Sequence, residues 1–204
     1  MTSATEGEPR QRMSSEDRRA QLLDVAEFVF AHLGYQGTVM EDIANEAGVT
    51  RGAVYHYFPD RDALYLEVVS RARQDLEHTF TTAALSEVTA EAQLRAGMTA
   101  YFTFVQDRGR RWDILFGGGA AVAGPVAEQV GNLRFDTADK ISILIQAVMP
   151  RLSAEQASAS AHIVSGAAEQ LAKWWRKHPE VSLTQVVDHQ MRATWLGLSE
   201  LASD

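Results

Sequence analysis

The segment at residues 50–58, TRGAVYHYF, contains an arginine, a glycine and four rings within nine positions. The guanidinium of Arg51 can donate two hydrogen bonds to the N7 and O6 atoms of a guanine. Tyr55 and His56 can donate to phosphate oxygens or contact thymine methyl groups, and Gly52 adds no bulk between a helix and base edges. The chemistry that these residues support is recognition of a duplex groove.

A short helix is needed to present this segment. Thr50 can accept a hydrogen bond as the N-cap, and Pro59 disfavours helical geometry at the residue before it, so the helix is predicted to end near Phe58. If Val54 and Tyr57 face inward, the helical period turns the other face outward. The outward residues are then Thr50, Arg51, Gly52, Tyr55 and His56.

Two earlier helices are predicted to support it. Ser14 resembles a cap for a first helix that ends at Gly34, with apolar residues at intervals of three and four between them. A second helix is predicted to begin at a capping box formed by Thr38 and Glu41 and to end at Gly48.

The turn between the second and third helices has the spacing of a helix-turn-helix. Ala44 and Ala47 permit close approach of the two helices, and Gly48 permits the positive φ of a tight turn. Val49 is predicted to fill the turn. An ordinary helical hairpin is the alternative interpretation of the same spacing.

Composition limits the other function classes. The 204 residues are 46% apolar and include no Cys, which excludes disulfides and thiol chemistry and fits a cytoplasmic location. The sequence shows neither a signal-peptide core nor a membrane span, and it lacks the common motifs for metal binding, nucleotide binding and catalysis. We therefore predict no enzyme activity, no metal and no cofactor.

The net charge of −8 argues against indiscriminate nucleic-acid binding. Residues 1–62 contain 11 acidic residues against 6 Arg and no Lys, a net charge of −5. DNA binding must therefore depend on local geometry, and a modest salt dependence is expected.

The run TVMEDIANEAGVTRGAVYHYFPDRDALYLEVV, which follows FVFAHLGYQG, resembles the DNA-binding domain of the TetR family of bacterial transcription regulators. The resemblance covers about residues 15–70. It implies an all-helical homodimer with an N-terminal three-helix head and a C-terminal helical body that holds a small-molecule pocket. The DNA-facing residues that it implies are Thr38, Thr50, Arg51, Gly52, Ala53, Tyr55, His56, Tyr57 and Arg61.

The rest of the chain is expected to be helical. We predict a flexible arm at 1–13, the DNA-binding domain at 14–61 and a ligand-binding and dimerisation domain at 62–204. Within the last of these, residues 107–125 are predicted to form a flexible connection before a helix that begins at Pro125. Arg108, Arg110 and Arg111 are predicted to lie on a solvated face, and attraction of an acidic ligand is the alternative.

Rings, sulfur and imidazole on the body helices suggest ligand contacts, although core packing explains them equally well. These candidates are Met98, Phe102, Trp112, Phe116 and His162. Small and apolar residues also form stripes on two C-terminal helices, at 153–178 and 182–201. Such stripes can be core within one chain as easily as a dimer interface, and the resemblance assigns them to the dimer interface. The stripe residues are Ala157, Ala161, Val164, Ala168, Leu171, Trp175, Leu183, Val187, Met191, Thr194, Trp195 and Leu198.

Together these features predict a homodimer that binds double-stranded DNA at a pseudo-palindrome and is released by a small apolar or aromatic effector. The resemblance favours a repressor, although the residues do not distinguish repression from activation. The alternative is a helical adaptor or structural dimer that has lost DNA binding, which the acidic head would fit.

Overall fold

The computed structural model describes residues 13–117 and 125–201, and the secondary structure of these residues is helical. Nine α-helices and one π-helical turn, Asp113–Gly117, are present in the described part of the chain. The helices are α1 Ser15–Gly37, α2 Met40–Glu46, α3 Arg51–Tyr57, α4 Arg61–Leu85, α5 Ala90–Asp107, α6 Gly109–Trp112, α7 Pro125–Val148, α8 Ala154–Trp175 and α9 Leu183–Leu201. The all-α fold class is therefore confirmed.

The caps of the first three helices follow from the sequence. The Ser14 and Thr50 hydroxyls accept backbone N–H bonds from Asp17 (3.0 Å) and Ala53 (3.2 Å), as expected for N-caps. Gly34 interrupts α1 with φ = 71°, and Gly48 forms the turn after α2 with φ = 64°. Both glycines occupy the left-handed region, where a side chain would be strained.

The predicted capping box of α2 is wrong. The hydroxyl of Thr38 donates to the Gly34 carbonyl at 2.7 Å, so it serves the end of α1. Val39 is the N-cap residue, and its N–H donates to Asp42 Oδ2 at 2.8 Å. The cap is displaced by one residue because the left-handed Gly34 leaves a carbonyl within reach of Thr38.

A continuous apolar core holds α1, α2 and α3 against the start of α4. Ile43, Val54 and Leu64 are fully buried, and Phe30 meets Tyr65 edge to face at 4.9 Å. Close packing of this kind resists changes in helix orientation. Helix α3 is thereby supported from behind, with its outer face free.

Helices α4, α5 and α7–α9 build the body. Helix α4 packs along α5, where a Cβ on Gly97 would lie 3.8 Å from Ala84 Cβ, so the small residue permits close helix approach. Helix α5 also contacts α9, and α7 contacts α8. None of the described helices is both long and apolar enough to cross a membrane.

The predicted flexible connection is wrong over residues 109–117. This segment forms α6 and the π-helical turn, and it buries Trp112, Ile114 and Leu115 because these apolar side chains pack into the body core. Residues 118–124 of the predicted connection lie outside the described residues, whereas the predicted helix start at Pro125 is confirmed.

The stripe predicted as the dimer interface packs within a single chain. Ala157 and Ala161 are fully buried, and the apolar core of the chain covers the rest of the stripe wholly or in large part. Periodicity identified a buried helix face correctly, but it could not say which helices cover that face. This correction applies to the buried residues Ala157, Ala161, Val164, Ala168, Val187, Met191, Thr194 and Leu198. For the partly exposed Leu171, Trp175, Leu183 and Trp195, an interface role stays a prediction.

Candidate nucleic-acid interface and ligand cavity

The outer face of α3 is solvent-exposed as its helical period requires. Thr50, Arg51, Gly52, Tyr55 and His56 are all exposed, whereas Val54 is fully buried. The Thr50 hydroxyl accepts from the Ala53 N–H and retains its own hydrogen for a phosphate oxygen. Ala53 is itself partly exposed. The face is short, polar and aromatic, which suits a major groove.

Arg51 is held in position by a ring on its own helix. Its Nη2 donates to the Tyr55 hydroxyl at 3.2 Å, and its guanidinium carbon lies 5.3 Å from the centroid of the Tyr55 ring. That hydrogen bond also raises the pKa of Arg51. Within residues 13–117 and 125–201, no carboxylate oxygen lies within 4 Å of the Arg51 guanidinium. The charge is therefore oriented and not neutralised by a close acid.

Three other residues that were predicted to contact DNA instead make contacts with residues of the head itself. Tyr57 is partly buried and its hydroxyl accepts from Ser15 Oγ at 3.4 Å. Arg61 donates to the Thr38 carbonyl at 3.2 Å, and its guanidinium carbon lies 4.2 Å from the centroid of the Tyr35 ring. These contacts join the end of α1 to the start of α4. Thr38 is fully buried, which removes its side chain from phosphate contact. The geometry does not support the predicted contacts of Thr38 and Arg61.

Arg108 and Arg110 are exposed, as predicted for a solvated face, whereas Arg111 is partly buried between α1 and α4. Arg111 Nε donates to Glu27 on α1 at 2.8 Å, and its Nη1 donates to Asp75 on α4 at 2.5 Å. Arg108 also binds Asp75, and Arg110 lies 5.7 Å over the Phe28 ring of α1. Arg110 and Arg111 therefore connect α6 to α1 of the head, and Arg108 and Arg111 connect this segment to α4.

Asp75 is the shared acid of this network. Burial would raise the pKa of the Asp75 carboxyl, but hydrogen bonds from Arg108 and Arg111 outweigh it and lower the pKa below its ordinary value of 3.8. A lowered folded pKa stabilises the fold above pH 3.8, and this contribution is lost as the pH falls through the folded pKa.

We expect Asp75→Asn to lower the free energy of unfolding by about 1–2 kcal/mol near neutral pH, because two charge-assisted hydrogen bonds are weakened. Urea unfolding should show that the difference from wild type shrinks as the pH falls below 3.8. Asp107→Asn, an exposed acid at the end of α5, is the matched control and should change stability by less than about 0.5 kcal/mol. A pH-independent loss in Asp75→Asn would contradict an electrostatic cause.

The body contains a partly open cavity of about 120 Å³ between α4, α5, α7, α8, α9 and the π-helical turn. One water needs about 10–15 Å³ by the same measure, so the space admits a small organic molecule. Apolar side chains form most of its wall, among them Leu76, Phe80, Leu94, Met98, Ile141 and Ile145. None of the described residues that line it is charged.

Two of the five predicted ligand contacts, Met98 and Phe116, line this cavity, and their role in binding remains a prediction. Phe102 and Trp112 are buried in the core beside it and do not line it. His162 is exposed on α8, with Nδ1 2.9 Å from the Ser158 carbonyl of its own helix. Residue type alone could not distinguish cavity-lining residues from core residues, because both environments contain the same aromatic and apolar side chains.

Gln190 and Trp195 are among the cavity residues that were not predicted as ligand contacts. Gln190 had a visible signal, a lone amide within the apolar stripe of α9, and it is 2% exposed. Trp195, predicted as a dimer contact, lines the cavity.

The outer faces of α8 and α9 carry apolar residues that no described part of the chain covers. Ile163 on α8 is 65% exposed and Leu196 on α9 is 67% exposed. Gly166 and Gly197 lie on the same helices with open space around them, and the absence of side chains at these positions makes the surface flatter. We call this surface the outer α8–α9 face; it lies opposite the stripe predicted from the sequence.

The comparisons with known proteins agree along the chain. The model of bacterial regulatory proteins of the tetR family matches residues 22–68, and the model of a tetracyclin repressor-like C-terminal domain matches residues 90–197. The matched head model contains α2, α3 and the turn between them.

Two relatives illustrate the range of similarity. The HTH-type transcriptional activator FasR of Mycolicibacterium smegmatis is 25% identical over 93% of this chain and 87% of its own length. The HTH-type transcriptional repressor KstR2 of Rhodococcus jostii is 32% identical over 42% of each chain.

Solved structures share the fold. A TetR-like transcriptional regulator from Rhodococcus sp. RHA1 has a TM-score of 0.74 at 22% identity, covering 92% of this chain and 99% of its own. AibR, solved with isovaleryl coenzyme A and operator DNA, has a TM-score of 0.67 at 17% identity, covering 84% of this chain and 95% of its own.

Proposed function

Since the chain belongs to the TetR family of transcription regulators, we propose that it binds a pseudo-palindromic operator as a homodimer and is released by a small ligand. DNA-binding regulation is the function of this family, which is not a family of enzymes. The observation that carries the proposal is the exposed α3 face, where Arg51 is oriented by Tyr55. The proposed division of the chain, with the head at 14–61 and the body at 62–204, falls at the start of α4.

In the proposed complex the outer residues of α3 enter the major groove. Arg51 reads a guanine, and Thr50, Tyr55 and His56 contact phosphates or base edges, with Gly52 and Ala53 allowing close approach. Tyr57 orients the helix from behind through its contact with Ser15. The head carries few unpaired cations, so sequence preference comes from geometry more than from charge.

The outer α8–α9 face is the proposed dimer interface. Exposed Ile163 and Leu196 give it apolar area, and Gly166 and Gly197 allow helices of a second copy to approach closely. A two-fold axis through this interface gives the dimer two DNA-binding heads. Each head can then bind one half-site, because half-sites about 34–36 Å apart lie in successive major grooves. This face replaces the stripe that the sequence suggested.

The cavity is the proposed ligand site. Leu76 and Phe80 of α4 form part of its wall, and α4 begins directly after the recognition helix. Phe116 lines the cavity five residues after Arg111, which holds Glu27 of the head. A ligand that favours a different position of α4 or α6 would therefore change the head separation. Near-complete release needs about 5.5 kcal/mol of differential affinity.

Repression is the proposed sense of regulation, as the printed names of several relatives such as KstR2 support. FasR is named an activator. We therefore propose that the position of the operator relative to the promoter decides between repression and activation. Transcription in vitro from a promoter that overlaps the operator should fall when the protein is added, and a rise would contradict repression.

Selection of bound fragments from random double-stranded DNA tests the proposal as a whole. We expect an inverted repeat with half-sites one helical turn apart, because two symmetric heads must bind at once. A single unrepeated site would contradict DNA binding by a symmetric homodimer. Failure to enrich any sequence at low salt would contradict base recognition by α3.

A further inference from the structure

Gln190 of α9 is the most buried polar residue in the cavity wall, with 2% of its surface exposed. Its Nε2 donates to the Val164 carbonyl at 2.9 Å. Because a carbonyl only accepts, this bond sets which end of the amide faces Val164. The other end, Oε1, is buried and has no hydrogen-bond partner among the residues that the structure describes.

An unpaired buried acceptor selects among molecules that fill the cavity. A ligand that supplies an O–H or N–H group satisfies Oε1, whereas a ligand of the same size without a donor leaves it desolvated and unpaired. The donor exchanges its hydrogen bond to water for one to Oε1, which a ligand without a donor cannot form. The cavity should therefore distinguish donors from non-donors.

The rest of the wall argues against a charged ligand. None of the described lining residues carries a charge, and an ion transferred there would lose its hydration without an opposite charge to replace it. The Tyr101 hydroxyl accepts from Trp112 Nε1 at 2.9 Å, and burial raises the pKa of this phenol, which therefore stays neutral. The wall offers polarity only as neutral groups.

We infer that the ligand is an uncharged, largely apolar molecule that carries a hydroxyl or N–H group and binds with that donor on Gln190 Oε1. This inference rests on the proposed function, in which the cavity is the ligand site.

Decanol and methyl nonyl ether test it, because they are isomers of which only the alcohol donates a hydrogen bond. Binding of each to the full chain can be followed by tryptophan fluorescence, since Trp195 lines the cavity. We expect wild type to bind decanol about threefold to tenfold more tightly than the ether. Gln190→Met should reduce this preference to about one by weakening decanol binding alone.

Gln93→Met is the matched control, because Gln93 also lines the cavity while its Nε2 donates to the Glu87 carbonyl at 2.9 Å. This variant should keep the preference for decanol. Unchanged ether binding by Gln190→Met shows that the variant cavity is intact, which keeps the comparison valid if the substitution costs stability.

The outcomes separate this inference from the proposed function. Equal binding of the two isomers by wild type, or a preference that survives in Gln190→Met, overturns the inference and leaves the cavity as a ligand site. Tighter binding of decanoate than of decanol at neutral pH overturns the uncharged class. Failure of wild type to bind any of the three overturns the inference together with ligand release as proposed.

Discussion

Ile163→Glu is expected to convert the proposed dimer into monomers and to abolish measurable operator binding at concentrations where wild type is fully bound. The substitution places one carboxylate from each copy in the proposed interface, because a two-fold interface repeats every change. An unpaired buried charge costs about 3 kcal/mol or more, so two of them weaken dimerisation by about four orders of magnitude. Sedimentation or light scattering would measure the mass in solution.

Val88→Glu is the matched control for this substitution. Val88 is 93% exposed between α4 and α5, so the same change adds the same charge away from the outer α8–α9 face. It should leave both mass and operator affinity unchanged. Leu196→Glu should reproduce the effect of Ile163→Glu from the other helix. A dimer that persists in both interface variants would place the interface elsewhere.

Arg51→Ala is expected to lower affinity for the selected operator by about tenfold to a hundredfold per head while changing affinity for unrelated DNA much less. A bidentate guanine contact contributes about 1–3 kcal/mol of discrimination between base pairs. The attraction of one cation to nearby phosphates contributes little to affinity at moderate salt. Competition binding between the operator and a scrambled duplex of equal length would measure the ratio directly.

Two further variants separate geometry from charge at this position. Arg51→Lys keeps the cation but loses the planar fork, so it should retain non-specific affinity and lose most of the discrimination. Arg151→Ala removes an exposed arginine between α7 and α8 and should leave the ratio unchanged. If Arg51→Ala weakened binding equally on every sequence, Arg51 would be a phosphate contact and not a base reader.

The head was predictable because its signals are local. Caps at Ser14 and Thr50 and glycines at positions that need a positive φ act within a few residues, and the structure shows all of them. The one local error, the cap at Thr38, arose because its hydroxyl had two partners within reach. The backbone conformation at Gly34 decided between them.

The body was less predictable because its decisive contacts join residues far apart in the chain. Arg111 meets Glu27 and Asp75, which lie 84 and 36 residues away. Spacing within one helix carries no information about such partners, so Arg111 was predicted to lie on a solvated face. Spacing also could not say whether the α8 and α9 stripes pack within the chain or against a second copy, and the family resemblance assigned them to a second copy.

The sequence by itself determined the helices, the helix-turn-helix and the inward and outward faces of α3, because caps, glycines and the helical period act over a single turn. Only the tertiary structure decided which apolar residues form core, cavity wall or uncovered surface. Burial depends on which other helices pack against a face, and a stripe has the same pattern whether its own chain or a second copy covers it. For this reason Ala157 belongs to the core, Gln190 to the cavity and Ile163 to the outer α8–α9 face, although all three lie on regular amphipathic helices.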